Sequence, residues 1–98
     1  MKGLLLTNEY PPHIYGGAGV HVDYLSRELA KLCQVDVRCF GDQKYSNGLL
    51  SVTGFGPEHK NWEAPKPLQR SFEAIQRCLD FNGTPVDSDI VHAHTWYT

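Results

Sequence analysis

Short apolar segments alternate with longer amphipathic ones along this chain of 98 residues. Residues 2–7 form a largely apolar run, which is the pattern of a strand buried on both faces of a parallel sheet. Over residues 20–33 the apolar positions instead recur with helical spacing, and a second short apolar segment covers residues 35–40. This order of strand, helix and strand predicts a right-handed parallel crossover unit.

The rest of the pattern predicts a third, weaker strand over residues 49–55, a second helix over residues 67–83 and a last strand over residues 89–94. The residues that we expect the two helices to bury against the sheet are Val22, Leu25, Leu29, Leu32, Phe72, Ile75 and Leu79. Together the elements predict an α/β fold with a Rossmann-like parallel sheet flanked by helices. Its first strand should lie between the second and the last.

The composition indicates which partners are disfavoured and in which compartment the protein is expected to occur. The length suits one compact domain, and the net charge of -2 with dispersed basic residues disfavours binding to nucleic acid or to an anionic membrane. Three cysteines among apolar residues are typical of free thiols in a reducing compartment. The first apolar run is too short for a signal peptide or a membrane span. We therefore expect a cytoplasmic protein.

The strongest chemical feature is the loop predicted for residues 8–19, which contains two prolines and three glycines and should adopt special backbone angles. Gly16 and Gly17 stand before a helix whose first N–H groups lack partners and carry partial positive charge. An anion can approach such a backbone closely, because glycine has no Cβ. The alternative is that the glycines only form a turn. The dinucleotide motif G-x-G-x-x-G fails at Val22, so an NAD site is not predicted.

The last predicted strand ends with His92 and His94, and ligands of such sheets bind beyond the carboxyl ends of the strands. The glycine loop leaves the same edge and should be a neighbour. We expect the two imidazoles on opposite faces of the sheet, so no metal site is predicted. Two interpretations remain, namely hydrogen bonding to a sugar, or one packed and one solvated imidazole.

Other residues near this edge carry polar or aromatic groups. Glu9 follows the first strand and either faces the crevice or is a solvated acid. His13 and His21 flank the glycine loop and could donate to a hydroxyl or a phosphate, or they are surface groups. Trp96 and Tyr97 fit either a core or a surface that stacks on sugars. The sequence contains no serine-histidine-aspartate arrangement, Walker loop or metal-ligand cluster.

Two stretches resemble a known family. They are LLLTNEYPPHIYGGAGVHVDYLSRELAKL at residues 4–32 and DIVHAHTWYT at residues 89–98. They resemble the N-terminal domain of GT-B glycosyltransferases, and they are most similar to the actinobacterial glycogen synthase branch of the retaining family-four enzymes, where E-Y-P-P, G-G-x-G-x-H and D-x-x-H-x-H recur. Classical bacterial starch and glycogen synthases carry Lys and Asp where this chain has Ile14 and Thr95. Both departures favour the family-four branch.

The resemblance implies that residues 1–98 are a truncated N-terminal, acceptor-side domain, without the C-terminal nucleotide-sugar domain and inactive alone. It implies retaining transfer of glucose in glycogen biosynthesis, with no metal or other cofactor. ADP-glucose is the expected donor and UDP-glucose the alternative, and the acceptor is an α-1,4-glucan or glucose 1-phosphate. Sheet edges exposed by the truncation could let copies of the chain associate.

The resemblance also suggests site residues. His94 matches a histidine at the edge of the catalytic crevice and is the expected catalytic residue. Gly16 and Gly17 match the loop that approaches the donor phosphates and the acceptor sugar. The remaining expected substrate-binding residues are Gly19, His13 and Glu9. Two alternatives stay open, namely a family-four transferase with a lipid, inositol or sucrose-type acceptor, and a non-catalytic Rossmann-like module that binds a sugar or nucleotide.

Overall fold

A five-stranded, mostly parallel sheet lies between two helices in the computed structural model, which describes residues 1–56 and 65–94. The elements are β1 (Lys2–Thr7), α1 (Gly17–Leu29), β2 (Gln34–Phe40), β3 (Lys44–Asn47), β4 (Leu50–Phe55), α2 (Lys66–Gly83) and β5 (Ile90–Ala93). The strands are ordered β3-β4-β2-β1-β5, and only β3 is antiparallel to its neighbour. The predicted Rossmann-like α/β fold is confirmed, with β1 between β2 and β5.

Alternate residues of β1 enter two separate cores, one beneath each helix. Leu5 is buried in a cluster that includes Val22 of α1. Leu4 and Leu6 are buried on the opposite face in a cluster that includes Phe81 of α2. Side chains of a strand alternate between the two faces of the sheet, so three consecutive leucines supply both cores. The continuous apolar run of the sequence is thereby explained.

The first helix ends earlier than its apolar spacing predicts. After Leu29, the N–H groups of Leu32 and Cys33 both donate to the Leu29 carbonyl oxygen, at 2.9 and 3.0 Å. This tight turn leaves the Leu32 side chain 83% exposed and packs Cys33 partly against the core. The predicted burial of Leu32 is therefore wrong, because helical spacing stops before it. Val22 is fully buried as predicted, and Leu25 is half-buried.

The second helix turns a different face to the sheet from the predicted one. Phe81 is fully buried and packs on Phe40 and Phe55, with ring centroids 5.5 and 4.9 Å apart. The other inner residues are small: Ala74 and Cys78. The predicted inner residues are half-buried or exposed: Phe72, Ile75 and Leu79. Two apolar stripes run along α2. The stripe that packs on the sheet is the one with Ala74 and Cys78, because its small residues allow close approach.

The end of α2 is held by a side chain of the sheet. The Arg38 guanidinium donates to the carbonyl oxygens of Phe81 and Pro85, at 2.5 and 2.6 Å. The last carbonyls of a helix lack partners within the helix, so this contact satisfies groups that would otherwise be unpaired. It also links the end of α2 to β2 of the sheet.

One strand was not predicted. All residues of β3 are exposed and the segment is largely polar, so it shows no apolar alternation. A two-residue turn joins it to β4, and Gly48 in that turn has a φ of 61°, which favours glycine. Gly48, as the first residue of a two-residue turn, is the signal from which the hairpin could have been predicted.

The cysteines are free thiols, as predicted. Cys39 is fully buried in the core beneath α1, and burial raises the pKa of its thiol to about 12. A thiol with so high a pKa stays protonated and unreactive at neutral pH. Within the part of the chain that the structure describes, neither helix has the length and apolar character needed to cross a membrane.

The two-core arrangement predicts a contrast between two leucines. Replacing the buried Leu5 by alanine should lower the free energy of unfolding by about 2–5 kcal/mol, through lost burial and a residual cavity. The same change at the exposed Leu32 should alter it by less than about 0.5 kcal/mol. Chemical denaturation of both variants measures the difference. Equal losses would contradict the assignment of Leu32 to the surface.

Candidate functional site

The carboxyl ends of β1, β2, β4 and β5 meet at one edge of the sheet, because these strands are parallel. Main-chain hydrogen bonds hold the segments that leave this edge. The Phe40 N–H donates to the Asn8 carbonyl oxygen at 3.2 Å, and the His94 N–H donates to that of Leu6 at 3.0 Å. Residues 8–19, the glycine segment, lead into α1, whose His21 contacts His94 with ring centroids 5.6 Å apart, so this segment and the histidines at the strand end are neighbours, as the sequence predicts.

The end of the glycine segment forms the first turn of α1, whereas the sequence predicts a loop up to residue 19. Gly16 is the N-cap and Gly17 the first helical residue. Among the described residues only Gly41 and Gly48 have positive φ, so the special backbone angles expected here are absent. A Cβ added at Gly16 or Gly17 would meet nothing within 4 Å. The fold of the described residues therefore does not require glycine at either position.

Glu9 holds the glycine segment at two points. Its carboxylate oxygens accept hydrogen bonds from the N–H groups of Tyr15 and Gly19, at 2.7 and 3.0 Å. Gly19 is buried, and a Cβ there would lie 3.0 Å from both Glu9 Cβ and Ile14 Cγ2. Gly19 is thus needed for packing, unlike Gly16 and Gly17. The observed partners of Glu9 are backbone groups, and its expected contact with substrate stays a prediction.

Tyr10 connects the same segment to the core beneath α1. Its side chain is fully buried, and its hydroxyl lies 2.6 Å from the Ser26 hydroxyl of α1. Its carbonyl oxygen accepts hydrogen bonds from Gln43 Nε2 and from the His13 N–H, both at 2.9 Å. Burial raises the pKa of Tyr10 to about 12, so the phenol is neutral at pH 7. The sequence gives no signal for this role, because an aromatic residue in a proline-rich segment belongs to no periodic pattern.

His13 connects the glycine segment to the end of β2. Its Nε2 lies 2.7 Å from an Asp42 carboxylate oxygen, and this contact holds the pKa of Asp42 below its usual value. Both side chains are exposed, so the pair contributes little to stability. His13 also lines the cleft described below, where the sequence predicts a substrate-binding residue.

Three imidazoles meet at the opposite side of the segment. The rings of His92 and His94 stack with centroids 4.4 Å apart, and His21 of α1 contacts His94 edge-on at 5.6 Å. The expectation that His92 and His94 lie on opposite faces is wrong, because residues two apart in a strand share a face. His92 is paired with Leu5, whose side chain faces α1, so both imidazoles lie on the α1 side. Within residues 1–56 and 65–94, no three side chains are arranged to hold a metal ion.

His94 is the one of these histidines with an unsatisfied buried atom. Its Nε2 has no hydrogen-bond partner among the described residues. Burial, with the nearby His92 and His21, lowers the pKa of His94 below its ordinary value of 6.5. A neutral imidazole can donate from one ring nitrogen and accept at the other, which suits a sugar hydroxyl. Thr95, Trp96 and Tyr97 lie outside the described residues.

A cleft of about 860 Å³ opens on the other side of the glycine segment. It lies between the carboxyl ends of β1, β2 and β4 and the part of α2 that contains residues 70–77. Its polar and charged lining residues are Asn8, His13, Tyr15, Asp42, Arg70, Glu73 and Arg77. The two arginines were missed by the sequence analysis. Their spacing of seven residues on a predicted helix is the signal that places both on one face.

Sequence comparisons relate the chain to glycosyltransferases. The profile of Glycosyltransferase Family 4 matches residues 15–98. The chain is 38% identical over 102 residues to the alpha-maltose-1-phosphate synthase of Mycolicibacterium smegmatis, and 36% identical over 98 residues to that of Mycobacterium tuberculosis. Both alignments cover 100% of this chain and 23% of the relative. The chain thus spans about a quarter of the length of these relatives.

The two hydrogen bonds of Glu9 predict a stability loss on replacement. Glu9→Gln keeps the shape but puts an amide NH₂ against a backbone N–H, so unfolding should become easier by about 1–3 kcal/mol. Glu28→Gln is the matched control, since Glu28 is exposed and pairs only with Lys31 in the described structure. Its loss should stay below about 0.5 kcal/mol. Denaturant titrations of both variants test this, and equal losses would argue against the clamp.

The environment of His94 predicts a pH dependence. Its folded-state pKa lies below 6.5, so the unfolded chain takes up a proton first as the pH falls. The stability that neutral His94 provides is complete above pH 6.5 and is lost as the pH falls through the lowered pKa. NMR titration should place the His94 midpoint below 6.5, and His92→Asn should raise it. A midpoint at or above 6.5 would contradict the interpretation.

Proposed function

Because the chain belongs to Glycosyltransferase Family 4, we propose that the protein carrying it transfers glucose from a nucleotide donor to a sugar acceptor. The bond between the anomeric carbon and the diphosphate oxygen breaks, and its electron pair leaves with the nucleoside diphosphate. An acceptor hydroxyl oxygen forms the new bond to that carbon. The proton of this hydroxyl ends on the diphosphate, so atoms and charge balance.

The finer identity of the reaction is part of the proposal. We assign ADP-glucose as the donor and a retained α configuration at the anomeric carbon, in line with the family resemblance of residues 4–32. The relatives are named for synthesis of α-maltose 1-phosphate. Maltose 1-phosphate is glucose joined to glucose 1-phosphate, so that name favours glucose 1-phosphate over a glucan as the acceptor. In either case the product belongs to glycogen biosynthesis.

The open backbone at Gly16 and Gly17 supports the proposal most directly. A Cβ would fit at both positions and φ is not positive, so the fold leaves the absence of side chains unexplained. A ligand that approaches the main chain explains it. The first turn of α1 contains no acidic residue, and within it the Glu9 carboxylate accepts a hydrogen bond from the N–H of Gly19. The remaining N–H groups and the helix dipole favour a diphosphate at this point.

His94 has the second role in this proposal. Its unsatisfied Nε2 lies at the carboxyl edge of the sheet, beside α1. A neutral imidazole there can hydrogen-bond a hydroxyl of the transferred sugar without competing for the negative diphosphate. We therefore propose that His94 contacts the sugar while the start of α1 contacts the diphosphate.

Replacement of Gly17 tests the proposal in the full-length protein. Gly17→Val should leave the free energy of unfolding within about 1 kcal/mol of the parent, since its side chain meets open space. Glucosyl transfer should fall by about 100-fold or more, because the branched side chain displaces the diphosphate. Thermal unfolding and donor-dependent transfer are measured on the same preparation.

Two glycine controls separate ligand approach from folding. Gly83→Val places the same side chain in equally open space at the end of α2, and it should leave transfer unchanged. Gly19→Ala should instead lower stability, because its Cβ would press on Glu9 and Ile14. Parent-like transfer by folded Gly17→Val protein would show that the glycine segment is only a turn.

A further inference from the structure

We propose that Arg70 and Arg77 of α2 bind the phosphate of a phosphorylated acceptor sugar in the cleft beside the glycine segment. This inference rests on the proposed glucosyl transfer and assigns the residues that select its acceptor. Both arginines line the cleft, together with Asn8, His13 and Tyr15 from the segment that follows β1. The cleft therefore adjoins the segment that precedes α1.

Arg77 is held in place but retains unused donors. Its guanidinium lies over the Phe40 ring, 5.0 Å from the ring centroid. Its Nε is buried and has no hydrogen-bond partner among the described residues. Stacking on an aromatic ring fixes the plane of a guanidinium and leaves its N–H groups free to bind an anion. An unpaired buried donor is costly, so a ligand that accepts from it is favoured.

Two carboxylates also line the cleft, but neither neutralises the arginines. Asp42 is hydrogen-bonded to His13 at 2.7 Å, and Glu73 accepts from Gln69 at 3.5 Å. In the described ranges no carboxylate oxygen lies within 4.0 Å of a nitrogen of Arg70 or Arg77. The two guanidinium groups thus remain available on one face of α2, two turns apart.

The position of the arginines favours the acceptor over the donor. Tyr15 lines the cleft, whereas Gly16 and Gly17 do not, so the open helix start and the arginines are separate features. Transfer to a sugar phosphate brings two phosphorylated groups together, the diphosphate of the donor and the monoester of the acceptor. The helix start suits the first and the arginines suit the second, since guanidinium forks match the oxygens of a monoester.

Steady-state kinetics of the full-length protein test this assignment. The variants are R70Q, R77Q and the double variant, with R77K to keep the charge while losing the planar fork. Each is assayed with ADP-glucose and two acceptors, glucose 1-phosphate and an unphosphorylated maltooligosaccharide. R27Q is the matched control, because Arg27 lies on α1 and pairs with Asp23 at 3.0 Å. Thermal unfolding confirms that every variant is folded.

We expect the KM for glucose 1-phosphate to rise about tenfold or more in R77Q and further in the double variant, as for loss of a hydrogen bond to a charged group. R77K should recover part of the loss. The kcat, the KM for ADP-glucose and the KM for the maltooligosaccharide should stay near the parent values. R27Q should match the parent in every constant.

Each other outcome overturns the assignment in a distinct way. An increase in the KM for ADP-glucose would place the arginines at the donor, and equal losses with both acceptors would make them structural. An unchanged KM for glucose 1-phosphate in the double variant would remove them from the site. Parent protein that uses only the maltooligosaccharide would refute this inference and leave glucosyl transfer standing. Parent protein that transfers glucose from no nucleotide donor would refute both proposals.

Discussion

The burial of β1 on both faces, with a parallel partner on each side, is the constraint on which the described structure depends. Leu5 faces the core beneath α1, while Leu4 and Leu6 face the core beneath α2. Packing on both faces and hydrogen bonds to β2 and β5 hold such a strand in position, so its carboxyl end is well defined. The residues that follow the neighbouring strand ends, including His94 after β5 and Asp42 after β2, are placed relative to that end.

Short-range hydrogen bonds hold the segment that follows β1, residues 8–16, against the end of this strand. Thr7 Oγ1 donates to the Glu9 carbonyl oxygen at 2.9 Å, and the Glu9 carboxylate in turn holds the N–H groups of Tyr15 and Gly19. The buried Tyr10 ties the same segment to α1 through Ser26. A site of this kind is positioned by the strand although most of its residues lie outside regular structure.

Periodicity predicted every described element except β3, and their order, because burial on one or two faces imposes periods that the sequence displays directly. It did not predict where α1 stops, since the bifurcated acceptance of two N–H groups by the Leu29 carbonyl depends on local geometry. It misassigned the inner face of α2, where two apolar stripes compete and close packing decides between them. The common face of His92 and His94 follows from the period of a strand, so that error was avoidable.

The site was predictable in location but only partly in detail. Parallel strands share a carboxyl edge, so the nearness of the glycine segment to His94 follows from topology. The hydrogen bonds of Glu9 to the Tyr15 and Gly19 N–H groups, and the stacking of Arg77 on Phe40, depend on how the chain folds back on itself. No local pattern records such contacts. They emerge only when the fold is known.

Three glycines in one short segment show how structure separates roles that sequence presents as equal. Gly19 lies where a Cβ would collide with Glu9 and Ile14, so packing alone explains it. Gly16 and Gly17 face open space, so packing does not explain them. The Glu9 carboxylate accepts from the N–H of Gly19 within the same first turn of α1 that Gly16 and Gly17 begin. The same short segment thus contains one glycine that packing requires and two that it does not.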